Sequence, residues 1–96
     1  MPVIRVTQFQ ADPADAEQVQ VRHAALVSAI RSAHAGLAEA RLGRIDDETW
    51  VGFWRWDSAA NLQAARQAAP GTPAAAAAFS MARDVTAEDI EVVDEL

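Results

Sequence analysis

The chain predicts an α+β protein of the ferredoxin-like kind, with elements in the order β-α-β-β-α-β. Three observations carry this. Short runs of alternating, β-branched and aromatic residues recur at Val3–Gln10, Leu37–Ile45, Thr49–Trp56 and near the C-terminus. Two helical stretches with caps and apolar stripes separate them. The whole fits in 96 residues, one domain, with 51% hydrophobic residues available for a core. That order is the split βαβ arrangement, a four-stranded antiparallel sheet with both helices on one face.

The first strand spans Val3 to Gln10 and ends before Asp12-Pro13. Arg5, Thr7 and Phe9 share one face, and Ile4, Val6 and Gln8 share the other. A strand with apolar residues on both sides is usually covered on both. Asp12 or Asp15 caps the next helix, and Pro13 is tolerated in its first turn. The helix is expected to run to about Ala35 and stop at Gly36, which frees the chain for a left-handed turn. Val19, His23, Leu26, Ile30 and His34 fall on one stripe, with Gln20, Arg22 and Arg31 on the far side.

The second strand, Leu37 to Ile45, divides into Leu37, Glu39, Arg41, Gly43 and Ile45 on one face and Ala38, Ala40, Leu42 and Arg44 on the other. Asp46-Asp47-Glu48 makes the hairpin turn. In the third strand, Thr49 to Trp56, Trp50, Gly52, Trp54 and Trp56 project to one side and Thr49, Val51, Phe53 and Arg55 to the other. Asp57 or Ser58 caps a second helix with a weak stripe of Leu62, Ala65 and Ala69. Pro70-Gly71-Thr72-Pro73 interrupts it, and an alanine-rich segment from Ala74 to Met81 resumes the helix. Val85 to Leu96 holds the last strand, where Ile90 and Val92 alternate with Glu91 and Val93.

With both helices on one face, the other keeps Ile4, Val6, Val51 and Phe53 with no cover in the chain. A second copy is the expected cover, closing two sheets into a dimeric α/β barrel.

Composition removes several function classes. There is no cysteine, hence no disulfide, thiolate metal site or nucleophilic thiol. The net charge is −6, and all eight basic residues are arginine. An acidic surface does not suit nucleic acid or anionic membranes. No apolar run approaches the length of a membrane span, and the N-terminus lacks a signal peptide, so the cytoplasm is expected. His23 and His34 are eleven residues apart, about 16 Å along a helix, and cannot share a metal. No phosphate loop or Ser-His-Asp order is present, so no metal, flavin or haem is expected.

The candidate site lies at the third strand. Three indoles on one face exceed what small alanine-rich helices fill, and a cavity between rings and small side chains suits a flat apolar ligand. Trp50 is assigned to the core, Trp54 and Trp56 to a pocket wall. His23, mid-helix and facing the sheet, is the candidate base. Arg66, turned inward, would hold a carboxylate, phenolate or dioxygen-derived anion. Arg5 and Arg41, if turned toward the helices, need an acidic partner or a ligand, and Glu39 is of the expected kind. Thr7 and Phe79 complete the substrate-binding candidates.

The stretch from Ala33 to Ala65, AHAGLAEARLGRIDDETWVGFWRWDSAANLQAA, resembles the antibiotic biosynthesis monooxygenase family. The matching parts are a helix ending in His-X-Gly, a strand, an acidic turn, a strand ending in Trp and a Ser-capped helix. The resemblance implies a homodimer with one pocket per subunit. It also implies, as in many members, oxygenation of an aromatic or polyketide-like substrate without a cofactor. Trp56 stands at the family's strand-ending pocket tryptophan. Where many members carry an acidic residue two positions earlier, this chain has Trp54, and where they carry a histidine in the second helix it offers Ala65 and Arg66. The haem-degrading branch has an asparagine on the first strand, where Thr7 and Gln8 stand here. These departures point away from haem degradation. The alternative function is a non-catalytic small-molecule-binding or structural dimer.

Overall fold

A computed structural model describes residues 1–68 and 73–96. Four strands, β1 (Val3–Gln10), β2 (Leu37–Arg44), β3 (Thr49–Trp56) and β4 (Arg83–Glu91), form one antiparallel sheet in the order β2-β3-β1-β4. Helices α1 (Ala16–Ala33), α2 (Ala59–Ala68) and α3 (Pro73–Phe79) pack on one face, which gives the ferredoxin-like fold.

The expected elements form with shifted ends. Asp12 caps a short 3₁₀ turn, Pro13–Asp15, its carboxylate accepting from the Ala14 N–H at 2.9 Å, and α1 proper starts at Ala16. The helix ends at Ala33. Gly36 then takes φ +95°, and a side chain there would strike Asn61 of α2. In the hairpin, the Asp46 carboxylate accepts from the N–H groups of Glu48 and Thr49, both at 2.9 Å, and from the Thr49 hydroxyl at 3.2 Å. These bonds, the Glu48 N–H first, hold the Asp46 carboxyl below the usual carboxylate range. Ser58 caps α2 by accepting from the Asn61 N–H. The expected break at Pro70-Gly71-Thr72 and the stripe residue Ala69 lie outside the described residues, while Pro73 opens α3. β4 begins earlier than expected and ends at Glu91, after which the Val92 N–H donates to the Pro2 carbonyl.

Register fixes what faces the helices. Val3, Arg5, Thr7 and Phe9 lie opposite Trp56, Trp54, Gly52 and Trp50. Gly52 therefore divides the tryptophan ladder, and the core divides with it. Trp54 and Trp56 pack with Val3, Leu26, Leu37 and Leu62, whereas Trp50 packs with Phe9, Ala11 and Val19. Arg44 stacks over Trp50 at 5.0 Å from the ring centroid.

Three expectations need correction. Leu37 does not share a face with Glu39 and Arg41. A register shift between Leu37 and Glu39 turns it into the core, where Ala40 packs against the same cluster. Arg41 does not point toward the helices, because it stands opposite Phe53 on the open face, where it pairs with Glu39. Arg22, placed on the solvent side of α1, instead lashes α1 to α3. Its guanidinium donates to the Ala77 carbonyl at 3.2 Å and to the Ser80 hydroxyl at 2.9 Å.

The sheet face away from the helices carries Ile4, Val6 and Val51 half-buried, with Phe53 44% and Ile90 47% exposed. No helix among the described residues is long and apolar enough to cross a membrane.

Candidate functional site

A cavity of about 520 Å³ opens between the sheet and the helices. Its floor is the outer half of the ladder: Trp54 and Trp56 from β3, with Arg5 and Thr7 beside them on β1. Leu26 and Ile30 of α1 close one wall. Across from them stand Ala65 and Arg66 of α2 and Phe79 at the end of α3. The small side chains of α2 and α3 leave this space open, since alanine supports a helix but fills little volume. Its size falls in the range of ligand pockets.

Five of the sequence candidates, Thr7, Trp54, Trp56, Arg66 and Phe79, therefore come together on one cavity. Trp54 and Trp56 serve twice, since both are also buried in the core cluster. Phe79 is a different kind of wall, 43% exposed at the rim.

His23 stands apart from this group. Its ring contacts Trp54 at 5.1 Å between centroids, tilted by 47°, from the side away from the cavity. It borders instead a shallow groove between α1 and β2 with Val27, Ala40 and Leu42. Gly52 explains how it fits. A methyl group built there would lie 2.6 Å from Thr7 Oγ1, 3.1 Å from Trp54 Nε1 and 3.7 Å from His23 Nε2. The missing side chain lets a hydroxyl, an indole N–H and an imidazole converge in the gap between the two halves of the core. His23 Nε2 is buried with no hydrogen-bond partner, as are Trp50 Nε1 and Trp56 Nε1. Burial alone lowers the His23 pKa, so the imidazole is neutral at pH 7.

Sequence reasoning placed Arg5 as a strand arginine in need of a partner and missed which one. The partner is Asp89 of β4, directly across the register, with Arg5 Nη1 donating to Asp89 Oδ1 at 2.7 Å. Arg66 Nη1 donates to the other oxygen of the same carboxylate at 3.3 Å. The signal for Asp89 was its place in a strand alternation, two residues before Glu91. Only the β1–β4 register shows which arginine it meets. Among the described residues, no group of three or more His, Asp and Glu side chains is gathered as a metal ion would require.

The fold matches known structures. Rv0793 from Mycobacterium tuberculosis is 22% identical with a TM-score of 0.73, covering 99% of this chain and 98% of its own. SnoaB, a cofactor-independent oxygenase from Streptomyces nogalater, is 21% identical with a TM-score of 0.73, covering 99% and 96%. A Deinococcus radiodurans protein is 16% identical with a TM-score of 0.79, covering 98% and 95%. No curated protein matches the chain. The pattern described as antibiotic biosynthesis monooxygenase matches residues 2–81, from the first strand through the helix that closes the cavity. The chain belongs to the antibiotic biosynthesis monooxygenase family.

Proposed function

We propose that this protein is a cofactor-independent monooxygenase of a small, electron-rich aromatic or polyketide-like compound. The observation that carries the reading is the cavity, floored by two indoles, walled by alanine and leucine, and of a size for a flat ring system. Family membership and the likeness to a cofactor-independent oxygenase support it. No side chain here activates dioxygen, so the substrate supplies the electrons. Oxidation of an activated methylene to a carbonyl places one oxygen atom in the product and releases the other as water, with the methylene giving up all the electrons that reduce dioxygen. Trp54 and Trp56 hold the ring, and Arg66 and Arg5 stabilise the oxyanion of the deprotonated substrate. Neutral His23 is the candidate base. Because it sits behind Trp54, it would act through the Gly52 gap, where the Thr7 hydroxyl also stands.

The working unit is a homodimer, joined through the open sheet face. Phe53 and Ile90 there are too exposed, among too many apolar neighbours, for a stable monomer surface. An acidic chain without cysteine suits the cytoplasm.

One observation favours a second reading. Among the described residues no titratable base lines the cavity itself, as expected of a small-molecule-binding dimer that performs no chemistry. Oxygen uptake separates the two. Chelator-treated protein supplied with a hydroxylated anthrone should consume dioxygen saturably above the protein-free rate, and His23→Ala should lower that rate. Saturable binding without uptake would establish the binding protein instead.

A further inference from the structure

The polar groups on the cavity wall share one character. Arg5, Arg66, Trp54 and Trp56 are donors only, and Thr7 adds a hydroxyl. Among the described residues no carboxylate, imidazole or amide side chain lines the space. A ligand must therefore bring the acceptors. Trp56 Nε1–H, buried without a partner, is one donor left unmet.

Charge sharpens the point. Two guanidiniums at the polar end share the single carboxylate of Asp89. Each guanidinium has five N–H groups, so most remain free for a further acceptor. Glu91 faces the same side of β4, yet it neither lines the cavity nor pairs with either arginine. In a chain of net charge −6, this aromatic-walled cavity is edged by an uncompensated cation. In the partly desolvated space between helices and sheet, that cation acts more strongly than it would in water.

We propose that the site selects a flat aromatic monoanion, its rings against Trp54 and Trp56 and its carboxylate or phenolate between Arg5 and Arg66. The proposal rests on the reading of this cavity as a ligand site and adds the charge of what it takes. Asp89 then works as a built-in competitor. It holds both arginines in the free protein and sets how strongly an incoming anion must compete for them.

Calorimetric titration with 2-naphthoate and with its neutral isostere, naphthalene-2-carboxamide, tests this. At low salt the naphthoate should bind about tenfold more tightly, as charge-assisted bonds to a guanidinium exceed neutral ones. Arg66→Gln, on a half-exposed side chain, should bring the ratio close to one by weakening naphthoate binding more than carboxamide binding. Asp89→Asn should raise it. Equal affinities for the two compounds would overturn anion selection and leave the cavity as a ligand site. A preference that persists in both Arg66→Gln and Arg5→Gln would also overturn it. Failure of both compounds to bind at millimolar concentration would defeat the proposal together with the reading beneath it.

Discussion

Trp56 is both core and pocket wall, and replacing it with alanine should show both roles at once. The side chain is 2% exposed and packs against Val3, Leu37 and Leu62. Removing so large a buried ring costs about 3–5 kcal/mol. Domains of this size hold only about 5–15 kcal/mol in all. At roughly 4–8 °C per kcal/mol, the melting temperature should fall by about 12–40 °C. Phe79→Ala is the comparison, because Phe79 lines the same cavity but is 43% exposed. Losing a half-buried ring costs about 1–2 kcal/mol, so this variant should melt only modestly lower and yet bind a flat aromatic ligand about tenfold more weakly. Calorimetric melts of both variants, beside a ligand titration of Phe79→Ala, measure this. If Trp56→Ala melted within a few degrees of the parent, or Phe79→Ala lost as much stability as Trp56→Ala, the division of roles would be refuted.

Gly52→Ala should destabilise the fold by about 1–3 kcal/mol in urea titration, because the added methyl would press on Thr7 Oγ1 and Trp54 Nε1. The parent should sediment as the proposed dimer and Phe53→Glu, a charge on the open sheet face, as a monomer; a monomeric parent would contradict the dimer, and a variant that stays dimeric would place the interface elsewhere. Burial lowers the folded pKa of His23 below the unfolded value of about 6.5. Between those two values the unfolded chain binds more protons, so stability is full above about pH 6.5 and declines as the pH falls below it. His23→Gln should flatten that slope in melts taken from pH 7 to pH 5.

Periodicity made the fold legible. The alternation of Trp50, Gly52, Trp54 and Trp56 gave both the strand and its inward face, and the register supports it residue by residue. It failed where the period breaks. One extra residue between Leu37 and Glu39 swings Leu37 into the core, and nothing in LAEARLGR announces such a bulge. For the site, helix spacing put Arg66 near the sheet-facing edge of its helix, and it lines the cavity, whereas only the β1–β3 register sets Thr7 beside the tryptophans. The same spacing put His23 over the sheet, but it cannot say on which side of an indole a ring will lie, and His23 lies behind Trp54. The partners of Asp89 were not legible for a related reason, since a carboxylate on an edge strand acquires its meaning from the arginines that pairing sets beside it. The two pocket tryptophans are themselves tightly packed, Trp54 7% and Trp56 2% exposed. Here the surrounding alanines, not the tryptophan, make the space.

The central claim, that the space between Trp54, Trp56 and the helices is where this protein takes its ligand, is tested most directly by its three indole N–H resonances. Single Trp→Phe variants of Trp50 and Trp54 assign them in a two-dimensional nitrogen–proton spectrum. Titration with 2-naphthoate should move the Trp54 and Trp56 signals saturably and leave Trp50 still, because Trp50 lies in the other half of the core, outside the cavity. Movement of Trp50 alone, or of none of the three at a saturating ligand concentration, would contradict the claim.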